Sequence, residues 1–82
     1  MWLQNKFGHA INSDHIISMR YDSEKAPFVV YAWTPDYNGE CDNAFYLSEF
    51  ETREEAKAYI TSFVKFLNTG ELINPKIKEL LL

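Results

Sequence analysis

The sequence predicts an α+β fold for residues 1–82: a three- to four-stranded antiparallel sheet, one long helix on one face and a short C-terminal helical tail. Two observations carry this prediction. Apolar and polar residues alternate in short runs as far as residue 50, which is the period of strands, and they recur at helical spacing after residue 52. The connections between the runs are short, which favours antiparallel pairing within a single domain.

Four runs have the composition of strands, and turn-forming residues separate them. The run "FVVYAWT" is the strongest, because it is rich in β-branched and aromatic residues. In "IISMRYD", we expect Ile17, Met19 and Tyr21 to point toward the helix. The segment "PDYNGECDN" (35–43) predicts a loop with Asn38-Gly39 at a hairpin tip. The four predicted strands are "WLQNKF" (2–7), "IISMRYD" (16–22), "FVVYAWT" (28–34) and "AFYLSEF" (44–50).

The long helix is predicted over residues 53–69. The stretch "TREE" (52–55) matches a capping box, in which Thr52 accepts a hydrogen bond from the amide of Glu55. Gly70 is a suitable C-terminal stop. One helical stripe is expected to face the sheet, and it consists of Ala56, Tyr59, Ile60, Phe63, Val64 and Leu67.

A second, short helix is predicted as a tail at about residues 75–82. Asn74 can cap it, and Pro75 suits its first position. Ile77, Leu80 and Leu81 share one face of this helix.

The stretch "HAINSDHI" (9–16) raises the question of a metal or catalytic site, because it contains His9, Asp14 and His15. A metal site needs several ligands that converge on one point, and no HxxxH, HExxH or CxxC pattern accompanies these residues. The simpler interpretation is a turn before a strand, in which Asn12 or Asp14 accepts a hydrogen bond from an amide two residues on. We therefore predict no metal site.

Nothing else in the sequence indicates catalysis or a cofactor. Cys41 lies between Glu40 and Asp42, which would raise the pKa of its thiol rather than activate it. The carboxylates of "TREE" are explained by the helix N-terminus, where negative charge is favourable. Three isolated glycines form no phosphate-binding loop. We expect a protein that is not an enzyme.

Charge and hydropathy limit the possible partners. The formal net charge is -4, so a basic footprint for nucleic acid is lacking and we do not expect a nucleic-acid partner. No apolar run approaches the roughly 20 residues of a membrane span. A secretory signal is not evident, and a single cysteine favours a reducing compartment, so we expect a cytoplasmic protein.

The aromatic content exceeds what one small core requires, with two Trp, five Tyr and six Phe. A single helix covers one face of a sheet. If Phe45 faces that helix, alternation turns Tyr46 to the opposite face. In "FVVYAWT", the residues that point to either face are apolar, so we expect Tyr31 and Trp33 to lie on the same face as Tyr46. Trp2 is a further candidate for this face. Either another chain or the tail helix would cover such a face.

Two stretches carry a resemblance. "INSDHIISM" and "FETREEAKAYI" resemble the start of a strand and the start of a helix in many small uncharacterised proteins of bacteria and their phages. Together they cover about a quarter of the chain. The resemblance implies a turn into a strand and a capped helix, and it implies no functional residue.

Two functions remain open at this point. The first is a non-catalytic protein-interaction module, of the kind by which a phage product binds a host protein, with Trp2, Tyr31, Trp33 and Tyr46 at the interface and a homodimer expected. The second is a small-ligand or nucleotide-binding protein with an aromatic pocket at a dimer interface. Its expected ligand-binding residues are Trp33, Tyr46, Arg20 and Arg53.

Overall fold

The computed structural model describes residues 1–35 and 42–82 and confirms the α+β class. The predicted loop tip at Asn38-Gly39 and Cys41 lie outside the described residues. The helix at 53–69 has the predicted bounds. The elements are β1 (Trp2–Gln4), β2 (Ala10–Asn12), a 3-10 turn (Ser13–His15), β3 (Ser18–Tyr21), β4 (Phe28–Pro35), β5 (Asp42–Phe50), α1 (Arg53–Thr69) and α2 (Pro75–Lys78).

The described strands form two antiparallel sheets. β3, β4 and β5 form a three-stranded sheet with β4 in the centre, and β1 pairs with β2 in a separate hairpin. The first strand is shorter than the predicted range 2–7, because a turn begins at Asn5 and passes through Gly8 with a φ of 82°. Residues 10–12, which were predicted to be part of a turn, form the returning strand of this hairpin.

A β-bulge interrupts the register between β4 and β5. Val30 pairs with Ser48, but the next residue of β4, Tyr31, pairs with Tyr46. Leu47 is therefore an extra residue of β5 that has no partner across the ladder. The alternation of side chains between the two faces of the sheet therefore shifts by one residue at this point of β5.

The bulge decides which side chains of β5 face α1. Phe45 and Phe50 are five positions apart, so a regular strand would direct them to opposite faces. Both are buried in the core. Glu49 is exposed, whereas regular alternation from Phe45 would have turned its side chain toward the core. The bulge thus keeps a carboxylate out of the core and brings a phenyl ring into it.

One core joins both sheets and both helices. The buried residues of α1 are Ala56, Tyr59, Phe63 and Phe66. Val64, which was predicted to lie on this stripe, is 44% exposed, because a stripe through 59, 63 and 66 leaves position 64 at its edge. Other buried side chains of this core come from β1, β4, β5 and the tail: Leu3, Phe28, Val30, Ala32, Phe45, Leu47, Phe50, Ile77 and Leu80.

Ile17 is a second correction to the predicted core. Its side chain is 61% exposed, because β3 begins at Ser18 and the alternation of that strand does not extend back to residue 17. Met19 and Tyr21 do pack against the core, as predicted, and Ile16 packs there in addition.

The ends of α1 follow the predicted signals. The Thr52 hydroxyl accepts from the Glu55 amide at 3.2 Å and donates to the Glu55 carboxylate at 3.0 Å. Gly70 ends the helix in the left-handed conformation with a φ of 78°, and its amide donates to the Phe66 carbonyl.

The C-terminal tail is less helical than predicted. α2 begins at the predicted cap, where Asn74 accepts from the Lys76 amide, but it ends at Lys78 rather than at residue 82. Beyond it, the Leu80 carbonyl accepts from the Gln4 amide at 2.8 Å, and Leu81 bridges to Leu3 of β1. Backbone pairing with β1 therefore replaces the last helical turn.

Tyr59 of α1 places a hydroxyl in the core. Its side chain is fully buried, and the hydroxyl has no hydrogen-bond partner among the described residues. Burial raises the pKa of this phenol far above its usual value near 10, and the charges of Glu79 and Tyr46 raise it further.

We predict that Tyr59→Phe stabilises the protein, because a buried hydroxyl without a partner costs about 1–3 kcal/mol. The free energy of unfolding of the wild type should also fall above about pH 10, since the unfolded chain then releases a proton that the folded chain retains. Tyr59→Phe should remove this part of the pH dependence. Denaturant unfolding at pH 7 and pH 10.5 measures both effects.

The control for this prediction is Tyr21→Phe, which deletes the same atom from a half-buried ring of β3. Tyr21→Phe should change the stability by less than about 0.5 kcal/mol. Destabilisation by Tyr59→Phe would show that its hydroxyl has a partner in solution.

Candidate interaction face

The candidate site is the face of the three-stranded sheet opposite α1, which we call the outer face. Phe28, Val30 and Ala32 of β4 are buried against the core. Tyr31 and Trp33 alternate with them and therefore point to the outer face, as the sequence predicted. In β5, Tyr46 lies between the buried residues Phe45 and Leu47 and points the same way.

These three rings contact one another and a fourth. The ring centroids of Tyr31 lie 6.4 Å from those of both Trp33 and Tyr46. Phe7, from the turn between β1 and β2, packs edge-on against Tyr46 at 5.2 Å and is itself 61% exposed. We call Phe7, Tyr31, Trp33 and Tyr46 the aromatic cluster. Edge-on pairs at such distances are favourable beyond their buried area.

Two cations frame the aromatic cluster. The Arg20 guanidinium carbon lies 4.3 Å from the ring centroid of Trp33, and the Lys6 ammonium lies 4.9 Å from that of Tyr46. Both geometries are cation–π contacts. Lys6 also forms a long ion pair of 3.8 Å with Glu49, with both side chains about half exposed. Among the described residues, Arg20 makes no ion pair and no side-chain hydrogen bond.

Trp33 carries an unpaired donor. Its indole Nε1 is buried and has no hydrogen-bond partner among residues 1–35 and 44–82. The ring as a whole is half-buried, so the cluster is less bare than the sequence predicted, because neighbouring rings and Arg20 cover part of it.

Two predicted site residues lie apart from the cluster. Trp2 belongs to β1 of the hairpin, where it is 57% exposed and makes no aromatic pair within the described part of the chain. Arg53, at the start of α1, donates to the Glu24 carbonyl at 3.0 Å and lies over the ring of Phe28. The four residues of the predicted ligand pocket are thus only partly brought together, since Arg20, Trp33 and Tyr46 share the outer face without Arg53.

Asn5 attaches the Phe7 turn to the sheet, and the sequence prediction missed it. Its buried side chain accepts from the amides of Phe7 and His9 at 3.0 and 3.1 Å and donates to the Tyr46 carbonyl at 3.2 Å. The signal was present in "NKFG", because Asn at the first position and Gly at the fourth are typical of a type I turn.

The second half of the "HAINSDHI" stretch forms the predicted turn, whereas Ala10–Asn12 form β2. Asn12 accepts from the Asp14 amide at 3.1 Å, and a 3-10 turn follows before β3. His9, Asp14 and His15 are all exposed. In the described part of the chain, no three His, Cys, Asp or Glu side chains converge as a metal site.

A polar cavity of about 250 Å³ borders the cluster on the hairpin side. Lys6, Tyr46 and Glu79 contribute to its lining, whereas Trp33 and Arg20 do not. This cavity is therefore not an aromatic pocket around Trp33.

Neither a protein-family model nor a curated protein nor a solved structure matches this chain. Within the described residues, no helix is long and apolar enough to span a bilayer. A function is therefore inferred from the geometry of the outer face.

We predict that Asn5→Ala destabilises the fold by about 2 kcal/mol or more, because it leaves two amides and one carbonyl without their partner. It should also release the ring of Phe7 from Tyr46. Denaturant unfolding measures the first effect, and the ring-proton shifts of Tyr46 measure the second.

Asn12→Ala is the matched control for this prediction. It removes a capping side chain from the exposed 3-10 turn and should cost about 1 kcal/mol without moving the Tyr46 signals. Equal losses in both variants would contradict the attachment role of Asn5.

Proposed function

We propose that this protein is a non-catalytic protein-interaction module of the cytoplasm and that its outer face binds another protein chain. The observation that carries the proposal is the aromatic cluster on a sheet face that neither helix covers. Tyr and Trp dominate the energetics of protein interfaces, and an aromatic face that its own chain covers only in part offers further area for a partner to bury.

The position of the tail supports this proposal. The sequence left open whether the tail helix covers the outer face. Instead, Ile77 and Leu80 are buried in the core that α1 shares, and Leu81 pairs with β1. The tail therefore leaves Tyr31, Trp33 and Tyr46 to the partial cover of Phe7, Lys6 and Arg20, and a partner chain can bury the rest of these rings.

A second copy of the chain is the occupant that we propose. Closed two-fold dimers are the commonest assemblies, and such an interface uses the same surface on both copies. The charged groups beside the cluster are Arg20, Lys6 and Glu49, and the last two form an ion pair. The face is therefore close to neutral although the whole chain carries a net charge of -4, so two copies are not kept apart by strong repulsion.

The alternative of a ligand or nucleotide pocket has less support. It needs Arg20 and Arg53 beside the same aromatic wall, and Arg53 is held at Glu24 by a hydrogen bond instead. The stacking of Arg20 on Trp33 suits an interface equally well, because stacked arginines are frequent among interface residues.

We predict that the wild type is a dimer in solution and that Trp33→Lys is a folded monomer. A lysine at the centre of the interface would bury an unpaired charge. Light scattering across a concentration series measures the mass, and circular dichroism checks the fold.

Trp2→Lys is the matched control, since it makes the same change at an exposed tryptophan of the other sheet. It should remain a dimer. A monomeric wild type, or a dimer that Trp2→Lys disrupts and Trp33→Lys does not, would contradict the proposed occupant.

A further inference from the structure

The two edge strands of the three-stranded sheet, β3 and β5, differ in whether side chains cap their free backbone groups. β5 directs the carbonyls of Tyr46 and Glu49 away from β4, and both are capped by side chains. Asn5 donates to the first at 3.2 Å, and Lys76 donates to the second at 3.1 Å. Capping of this kind protects an edge strand from pairing with another chain.

Among residues 1–35 and 44–82, no side chain caps a backbone group at the β3 edge in this way. The Asp22 amide donates to the Val29 carbonyl across the ladder, so Asp22 and, two positions back, Arg20 direct their backbone groups toward β4. Met19 and Tyr21 therefore direct their backbone amides and carbonyls away from β4, toward the open edge of the sheet. Within the described residues, no backbone group outside the β3–β4 ladder bonds to them.

An apolar groove of about 190 Å³ runs beside this open edge, between β3 and α1. Its apolar lining consists of Ile16, Ile17 and Met19 on the β3 side and Val64 and Leu67 on the α1 side, and Ser18 and Asn68 add one polar side chain on each side. Ile17 and Val64 are the two predicted core residues that proved to be exposed, at 61% and 44%. Their exposure is concentrated at this groove.

The charge of Arg20 indicates which side chain an added strand would carry at this edge. Arg20 points to the outer face from the middle of β3, and its guanidinium forms no ion pair with a carboxylate of residues 1–35 or 44–82. A residue directly across from Arg20 on an added strand would lie on the same face, where a carboxylate is favourable. Both of its neighbours on that strand would point to the α1 side. The one opposite Met19 would enter the groove, and the one opposite Tyr21 would lie beside that half-buried ring.

We propose that the edge of β3 binds an extended segment of a partner protein with an apolar, an acidic and an apolar residue in succession. The flanking residues exchange backbone hydrogen bonds with Met19 and Tyr21, and the central carboxylate pairs with Arg20. This is recognition by strand addition, in which the backbone supplies affinity and alternate side chains supply specificity.

Self-pairing of β3 is disfavoured by the same charge. Placing Met19 opposite Tyr21 of a second copy puts the two Arg20 side chains directly opposite each other, which is destabilising. The groove is lined by β3 and α1 and not by the aromatic cluster, whereas Arg20 also contacts Trp33 of that cluster. Val64→Lys changes the groove alone, so loss of peptide binding in this variant with an unchanged dimer separates the two proposals.

The test uses a fluorescein-labelled peptide, Ser-Gly-Thr-Ile-Glu-Val-Thr-Gly-Ser, and a second peptide in which lysine replaces the glutamate. Fluorescence anisotropy with the full chain should show about fivefold tighter binding of the glutamate peptide. Arg20→Glu should reverse this preference. Val64→Lys, at an exposed helix position, should weaken both peptides because it blocks the groove.

Amide hydrogen exchange provides the direct readout of strand addition. At saturating glutamate peptide, exchange of the Met19 and Tyr21 amides should slow about tenfold or more, while that of Tyr46 stays unchanged. Absence of binding at a peptide concentration of about 1 mM, equal affinity for the two peptides, or unchanged exchange at Met19 and Tyr21 would each overturn the proposal.

Discussion

The β-bulge at Leu47 is the constraint on which the rest of the structure depends. The extra residue brings Phe45, Leu47 and Phe50 to the core side of β5 while Tyr46 points outward beside Tyr31. Without it, Phe50 would point outward and Glu49 would be directed toward α1, at the cost of an uncompensated buried charge. The two-sided character of the sheet, with a packed core on one face and an aromatic cluster on the other, therefore follows from one additional residue.

The bulge acts together with the attachment of the hairpin. Asn5 attaches the β1–β2 turn to the Tyr46 carbonyl. Tyr46, which lies next to the bulge in β5, therefore also contacts Phe7 and Lys6 of that turn. The same hydrogen bond caps one edge of the sheet. One polar contact therefore contributes to the stability of the fold, to the protection of the β5 edge and to the shape of the outer face. Among residues 1–35 and 44–82, the β3 edge has no such contact.

The features that the sequence predicted are those that local interactions determine. The capping of α1 depends on Thr52 and Glu55, which are three positions apart, and the apolar character of both parities in β4 is visible in the run itself. The features that it missed depend on distant contacts. Nothing within residues 44–50 shows that the chain inserts Leu47 as a bulge, because the choice depends on the environment of Phe50 and Glu49 on the two faces of the folded sheet. Phe7 joined the cluster only through the hydrogen bond from Asn5 to β5, 41 positions away.

We propose that the aromatic cluster is a contact surface for another chain. The most direct measurement is oxidative labelling of tyrosine and tryptophan side chains, read by mass spectrometry across a concentration series of the wild type. We expect labelling of Tyr31, Trp33 and Tyr46 to fall as the concentration rises, while labelling of the exposed Trp2 stays constant. Constant labelling of all four side chains, or protection confined to Trp2, would contradict the account.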